Sequence, residues 1–324
     1  MGDELPSNGP ARVGRVAAVD VARGLALVGM GVYHSIWDLA HFGFVGASLP
    51  FSPGMRLIAD LVAGSFLALV GASLALAHAE GLRARPFARR LMRIVAAAAL
   101  VTVATFLLDR DEPIYFGVLH CIAAASLIAA PFVGAPPWAA LAAGAAALAA
   151  PHLVASAAFN PPALVWLGLG TQTPRTLDWR PLLPWAGVAL VGLGLARALE
   201  PRLAASARAR WRPASLVGRA LGFAGRHSLA IYLLHQPILF GLAFTAANLT
   251  GVAERQARDA YLAACPPACV AQGGDAERCA KACLCVADRA EAAGLTLGLA
   301  LGENVGEARD RLKSVVEACG REGR

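Results

Sequence analysis

Charged residues are scarce in this sequence. Asp, Glu, Lys and Arg together make up 16% of its 324 residues, whereas 57% are hydrophobic and the mean hydropathy is +0.56. This balance excludes an ordinary soluble domain and is typical of a chain that crosses a lipid bilayer several times. Lysine is nearly absent, since Lys281 and Lys313 are the only two. The positive charge is carried by arginines in short loops between apolar runs, so we expect no nucleic-acid partner.

A cleavable secretory signal is also missing, because the first fifteen residues contain no hydrophobic region. We expect residues 1–16 to form a cytoplasmic N-terminal segment and the first apolar run to remain as a membrane anchor. The apolar runs are each close to the roughly 20 residues that cross a bilayer. They predict an all-α polytopic membrane protein with a transmembrane domain over 17–248 and seven spans, at about 19–40, 54–78, 90–108, 115–134, 136–156, 182–199 and 225–247.

The arginines also predict the orientation of the spans. Positive residues concentrate on the cytoplasmic side, and here they are dense before the first span and in loops 79–90 and 200–219. Loop 41–53 contains no Lys or Arg. Seven spans then leave the N-terminus inside and the C-terminal tail outside. The Ala- and Arg-rich usage suggests a GC-rich bacterial genome, and hence a multi-pass protein of the bacterial inner membrane.

The tail, residues 252–324, is polar and helix-prone and holds six of the seven cysteines. Cysteines four residues apart share one face of a helix, so two short antiparallel helices could be joined face to face. A zinc site is the alternative, since four thiolates at these spacings could bind a metal. The extracytoplasmic location favours disulfides, and we expect no metal. This geometry predicts the pairs Cys265–Cys283 and Cys269–Cys279. The remaining two cysteines would form the third pair, Cys285–Cys319.

Ionisable residues interrupt the first apolar run. At 100° per residue they fall on one stripe of a helix together with two glycines: Asp20, Arg23, Gly24, Gly31, His34 and Asp38. Such a stripe faces protein or a water-filled cavity and not lipid. Asp20 and Arg23 can pair near the cytoplasmic end, and His34 lies about 16 Å further along the axis.

Other spans carry polar residues as well. These residues are Asp60 in span two, His120 in span four, Asp178 and Trp185 at the start of span six, and Tyr232 with His235 in span seven. The predicted topology gathers His34, His120 and His235 at one depth. Each of them could be a packing device, but ionisable groups inside a membrane are functional by default. We therefore expect a functional cavity in the outer half of the membrane.

Five stretches, in order, resemble a known family: "VDVARGLALVGMGVYHSIWDLAHFG", "IADLVAGSFLALVGAS", "YFGVLHCIAAASLIAAPF", "LDWRPLLPWAGVALVGLG" and "GRHSLAIYLLHQPIL". Over about residues 12–245 the sequence is similar to the catalytic domain of heparan-α-glucosaminide N-acetyltransferase and its bacterial relatives. The D-x-x-R-G start and the S-L-x-I-Y-x-x-H ending are also similar to membrane O-acyltransferases that modify bacterial surface glycans. The resemblance does not extend into the Cys-rich tail.

The resemblance implies a membrane enzyme that moves an acetyl group from cytoplasmic acetyl-CoA to an amine or hydroxyl of a sugar or glycan on the other side. The family's D-x-x-R-G motif matches at Asp20, Arg23 and Gly24, and Asp60 in span two matches as well. The family's catalytic histidine follows the first span, where this sequence has His41. Related enzymes can dimerise, so the resemblance allows a homodimer.

Acyl transfer needs a base, and histidine has a suitable pKa. Between His41 and His34 we favour His34, because Asp38 one turn away can orient its ring. Donors for the oxyanion could come from four side chains: His120, Trp185, Tyr232 and His235. Asp178 would bind substrate with Asp60. Arginines on the cytoplasmic side could bind the phosphates of acetyl-CoA: Arg83, Arg85, Arg89, Arg90, Arg208, Arg210 and Arg212.

Two other classes of protein remain open. In a transporter or channel the same ionisable groups would form a substrate or proton path, although the sequence shows no internal repeat of the kind that transporters often carry. In a membrane anchor the polar residues would be packing devices and the tail would bind a partner. Substrate flux without an acyl donor would favour the first of these, and loss of function on tail deletion would favour the second.

Overall fold

The computed structural model describes residues 16–204, 211–295 and 306–322. Within these ranges the regular secondary structure is helical throughout, which confirms the all-α prediction. The α-helices are α1 (Ala17–His41), α2 (Pro53–Ala77), α3 (Ala84–Leu108), α4 (Val118–Ala129), α5 (Pro137–Val154), α6 (Pro162–Val165), α7 (Leu182–Ala204), α8 (Leu216–Arg226), α9 (Ser228–Thr250), α10 (Val252–Ala271), α11 (Ala276–Ala292) and α12 (Gly306–Glu322). Short 3₁₀ helices cover Leu49–Phe51, Ala130–Val133 and Ala157–Phe159.

Five of the described helices are long and apolar enough to cross a membrane: α2, α3, α5, α7 over Leu182–Glu200, and α9. A sixth apolar helix, Val118–Val133, is shorter and combines α4 with the 3₁₀ turn that follows. The first helix has 25 residues, but the polar side chains that interrupt it lower its hydropathy. Length and composition therefore support five of the seven spans that the sequence predicts.

Two helix boundaries differ from the prediction. Helix α3 begins at Ala84 and not near residue 90, so Arg85, Arg89 and Arg90 lie on its first turns instead of in a loop. Helix α8 is not predicted by the sequence, which indicates a loop there followed by the start of span seven. Ser215 caps α8, because its hydroxyl accepts the backbone N–H of Gly218 at 3.1 Å.

The described residues form two compact units. The first contains the residues up to Tyr33 and Pro53–Gln236. In this unit α7 packs against α2, α4 and α5, around the fully buried leucines Leu67, Leu74 and Leu193. Close approach of α2 and α7 depends on Gly71, where a Cβ would meet the carbonyl of Ala189. Small residues of this kind let membrane helices pack backbone to backbone.

The second unit contains His34–Ser52 and the described residues from Pro237 onwards. It thus takes in the end of α1 and part of α9 besides the tail, whereas the sequence placed a boundary near residue 250. Helices α10, α11 and α12 are joined by three disulfides with Cα–Cα distances of 5.9, 5.8 and 5.8 Å. Helical spacing predicts the first two pairs, Cys265–Cys283 and Cys269–Cys279, and the third is the remaining pair, Cys285–Cys319.

Candidate active site

The N-terminus of α4 is capped by a side chain from a distant loop. Gly117 precedes the helix and has no side chain of its own with which to cap it. Instead, Oδ2 of Asp178 accepts the backbone N–H of Val118 at 2.8 Å, and the carboxylate occupies the space that a Cβ on Gly117 would fill. Burial raises the pKa of the Asp178 carboxyl, while the Val118 N–H and the charge of Arg180 oppose that rise.

The loop before α7 is hydrogen-bonded to the α3–α4 connection, and these bonds position Asp178. Thr176 Oγ1 donates to the carbonyl of Pro113 at 2.7 Å. The backbone N–H groups of Leu177 and Arg180 donate to the carbonyls of Glu112 and Phe116 at 3.2 and 3.3 Å. The cap on α4 is therefore fixed by neighbouring backbone contacts on both sides of Asp178.

Arg180 joins two residues that the sequence identified separately. Its guanidinium pairs with Asp60 of α2 at 2.9 Å and lies over the Trp185 ring, 5.0 Å from the centroid. Such a cation–π contact contributes about 0.5–1 kcal/mol at an exposed site. The side chain of Asp60 is 55% exposed and that of Arg180 is 20% exposed. Asp60 is thus the more accessible partner of the pair, and Trp185 beside it is partly buried. Arg180 itself was not among the predicted site residues, although "DWRPLLPW" contains it.

His120 lies on the first turn of α4, and both ring nitrogens face protein groups. Nδ1 is 3.3 Å from the backbone N of Gly117, and Nε2 is 3.2 Å from Oγ1 of Thr102 on α3. The ring packs against Phe116 at 5.8 Å between centroids. Thr102 was not predicted from the sequence, because nothing within α3 marks it.

His235 and Tyr232 lie on α9, in the same unit as His120. Nδ1 of His235 is 2.5 Å from the carbonyl oxygen of Tyr232, and the two rings are 5.5 Å apart. Tyr232 packs against the core that includes Cys121 and Leu182, and it lies within electrostatic reach of Asp178. The first unit therefore brings Tyr232, Asp178 and His120 into one region.

The D-x-x-R-G motif packs α1 against two other helices. Asp20 is buried and accepts from Arg23 at 3.3 Å, and Arg23 also donates to the hydroxyl of Ser73 on α2. A Cβ on Gly24 would meet the carbonyl of Leu221 on α8. These contacts give the motif a structural function at this end of the bundle.

The predicted arginines lie in different settings at the start of α3. Arg83 donates to the carbonyl of Ala77 at 2.7 Å, and its backbone N–H donates to Nδ1 of His78 at 3.1 Å. Arg85 and Arg89 are exposed, whereas Arg90 is partly buried. Of the others, Arg212 is exposed and bonds the carbonyl of Trp211, while Arg208 and Arg210 lie outside the described residues.

The remaining predicted residues belong to the second unit. Asp38 is buried, with 4% of its surface exposed, and it follows His34 by one turn of α1. His41, the last residue of α1, is exposed and its ring lies 5.6 Å from that of Phe240. No group of His, Cys, Asp and Glu among the described residues is arranged to hold a metal ion.

These features define a helical membrane protein with polar residues among apolar helices. The family model for the catalytic domain of heparan-alpha-glucosaminide N-acetyltransferase matches residues 15–237, well over half of the chain. The chain belongs to this family, which confirms the resemblance, and it is a membrane acetyltransferase of that kind. No curated protein and no solved structure matches the chain. The matched segment ends before the Cys-rich tail.

Proposed function

We propose that the protein transfers an acetyl group from cytoplasmic acetyl-CoA to an amine or hydroxyl of a sugar or glycan on the extracytoplasmic side. The family match over residues 15–237 carries this proposal. The matched segment contains the arginines at the start of α3 as well as the cluster around Asp178. Donor and acceptor groups on opposite sides require a protein that spans the bilayer, and five of its helices can do so.

Seven spans would be α1 to α5, α7 and α9, within a transmembrane domain over 17–248. In this topology the α2–α3 turn and the segment before α8 lie on the cytoplasmic side, and the loop before α7 and the tail lie on the other. The arginines at the start of α3 support it, because positive residues concentrate at cytoplasmic ends. The acidic and aromatic side chains at the opposite ends, described above, would then face the acceptor.

Acetyl-CoA would be bound at the cytoplasmic end of α3. Arg85 and Arg89 are exposed there on the first two turns of the helix. Guanidinium groups bind phosphate in a bidentate manner, and a helix N-terminus also favours negative charge. Arg83 has a different task, since its bonds to Ala77 and His78 order the turn before the helix. When bound, acetyl-CoA supplies a thioester whose carbonyl carbon accepts the nucleophile.

At the acceptor end a histidine would take the proton of the attacking amine or hydroxyl while the thiolate of CoA leaves. His34 is our first candidate, because the buried Asp38 follows one turn later on the same helix. His235 is the second. The Tyr232 carbonyl can only accept, so Nδ1 of His235 carries the proton and Nε2 is the basic nitrogen of the neutral ring. Within the first unit, Trp185, Arg180 and Asp60 would bind a sugar.

The test uses purified protein in detergent. We expect the wild type to bind acetyl-CoA in calorimetry and to hydrolyse it slowly or transfer it to amino sugars. His34→Ala should bind with similar affinity but lose about 10²- to 10⁴-fold in rate, the usual contribution of a general base. His235→Ala tests the second candidate, and His152→Ala is the control, because His152 is exposed near the end of α5.

A wild type that does not bind acetyl-CoA would refute the enzyme assignment. Flux of a sugar into liposomes without any acyl donor would then support a transporter. Equal activity in the three histidine variants would be compatible with an acetyltransferase, but it would show that neither His34 nor His235 is the base.

A further inference from the structure

His120 has hydrogen-bond partners that fix where its proton lies, and Thr102 provides the first of them. A threonine hydroxyl has a single hydrogen to donate. Thr102 uses it on the carbonyl of Ile114, at 2.8 Å. The same oxygen lies 3.2 Å from Nε2 of His120 and can only accept there. The hydrogen in that bond must therefore come from the imidazole, which places it on Nε2.

The other side of the ring leads to the same assignment independently. Nδ1 of His120 faces the backbone N–H of Gly117, with 3.3 Å between the nitrogens. A backbone N–H can only donate, so Nδ1 must be without a hydrogen to accept it. A doubly protonated ring would set two N–H groups against each other at this position. Both constraints require the neutral ring with its hydrogen on Nε2.

Asp178 lies within electrostatic reach of the ring, but its Oδ2 accepts the backbone N–H of Val118, and the other surroundings of the ring are apolar. A cavity of about 270 Å³ lies beside His120, and all the other side chains that line it are apolar, among them Ala98, Ala123 and Leu127. The ring also continues an aromatic stack, because Phe116 lies 5.8 Å from His120 and 5.4 Å from Trp166. Taking up a proton would break a hydrogen bond within the protein and gain none from these neighbours.

We propose that His120 is a positioning residue, held as the neutral Nε2–H tautomer by Gly117 and Thr102, and that Thr102 is the residue that fixes it. This inference rests on the proposed function, since it assigns a role within the same site. The ring joins α3 to the start of α4, where Asp178 binds Val118. His120 thus orders the end of α4 that Asp178 caps. The proton acceptor is a different histidine.

The test compares three substitutions on α3. Thr102→Val removes the hydroxyl with little change in shape, and Thr102→Ser retains it. Thr105→Val is the matched control, because Thr105 also binds Ile114. Its Oγ1 accepts the backbone N–H of Ile114 at 3.0 Å, whereas Thr102 binds the carbonyl of that residue. Thr105→Val weakens the contact between α3 and Ile114 to a similar degree. His120 keeps its hydrogen bond to Thr102.

The first readout is the ¹⁵N spectrum of protein with labelled histidine, in which His120→Gln identifies the His120 signals. We expect wild type, Thr102→Ser and Thr105→Val to show hydrogen on Nε2 only, and Thr102→Val to show a mixture of tautomers. The second readout is kinetic: Thr102→Val should lower kcat about 10- to 100-fold through misplacement of the site, with KM for acetyl-CoA unchanged, and Thr102→Ser should restore the rate.

Hydrogen on Nδ1, or a charged ring at neutral pH in the wild type, would overturn the proposal. So would an equal effect of Thr105→Val and Thr102→Val on the His120 signals. The spectrum can be measured whether or not the protein transfers acetyl groups. An Nε2–H signal in a protein without acetyltransferase activity would support the fixed tautomer and refute the proposed function.

Discussion

Gly117 is the residue on which the capping of α4 by Asp178 depends. Its φ of −93° is accessible to any residue, so the requirement is one of space and not of backbone freedom. A Cβ would meet the Asp178 carboxylate and the side chain of Ile114. The smallest residue is thus needed because a charged group from a loop 60 residues away has to reach the first N–H of the helix.

We expect Gly117→Ala to destabilise the protein by about 1–3 kcal/mol, the usual cost of forcing an extra carbon into a packed site. Gly134→Ala is the matched control, since Gly134 has a similar φ of −90° and a Cβ added there would point into open space. That variant should be unchanged or slightly stabilised. Thermal unfolding in detergent measures both. Equal losses in the two variants would contradict the steric account of Gly117.

Residues of the candidate site differ in how far the sequence reveals them. Asp60, Asp178 and Trp185 stand out as polar or aromatic groups beside apolar runs, and the structure places them in the first unit. Thr102 does not stand out, because its partner is 18 residues further on. Arg180 acquires its role only through Asp60, which is 120 residues away. Composition and spacing cannot show contacts between distant segments that both look ordinary.

Among the elements, the helices were easier to predict than their ends. Apolar runs give α2, α5 and α9 to within a few residues, because the hydrophobic length of a span is set by the bilayer. The start of α3 was missed, since its first turns carry arginines and hydropathy does not recognise them as helix. Pro86 in the first turn is the signal that was available, because proline is tolerated there and not further along.

The tail helices depend on their disulfides more than on a hydrophobic core. Their buried side chains are mostly small, such as Ala287, Ala290 and the cysteines themselves. Closing a loop of 34 residues, as Cys285–Cys319 does, stabilises the folded state by about 4 kcal/mol in the chain-entropy model. The 10-residue loop of Cys269–Cys279 contributes about 3 kcal/mol in the same model.

We expect the double variant Cys285→Ser with Cys319→Ser to release α12, so that a protease digests this helix while α10 and α11 stay intact. The control is Cys269→Ser with Cys279→Ser, in which Cys265–Cys283 still joins the same two helices. Mass spectrometry of the fragments locates the cuts. Protection of α12 in the first variant would show that packing alone holds this helix.

At the scale of the whole molecule, the family match and the tail concern different parts of the chain. The match ends at residue 237, whereas the cysteines that form disulfides begin at Cys265. A catalytic role for the helical bundle therefore does not explain the tail. In our proposal the tail and the acceptor site lie on the same side of the membrane. Disulfides persist in oxidising compartments, and the acceptor is expected on that side.

Sidedness can be tested with single cysteines on opposite faces of the proposed topology. Glu80 is exposed in the turn between α2 and α3, and Thr173 is exposed in the loop before α7. In spheroplasts of a bacterial host, a membrane-impermeant maleimide should label Thr173→Cys. It should label Glu80→Cys only after the membrane is permeabilised. The native cysteines give little background, since Cys121 is buried and the other six are paired.

The tail provides a second test of the same topology. Its six cysteines should resist a membrane-permeant alkylating reagent in intact spheroplasts until a reductant is added, because the tail would have folded in an oxidising compartment. Labelling of Glu80→Cys without permeabilisation, together with freely alkylated tail cysteines, would mean that the protein is inserted the other way round. The arginines of α3 would then face the acceptor side, and transfer from cytoplasmic acetyl-CoA by this site would be excluded.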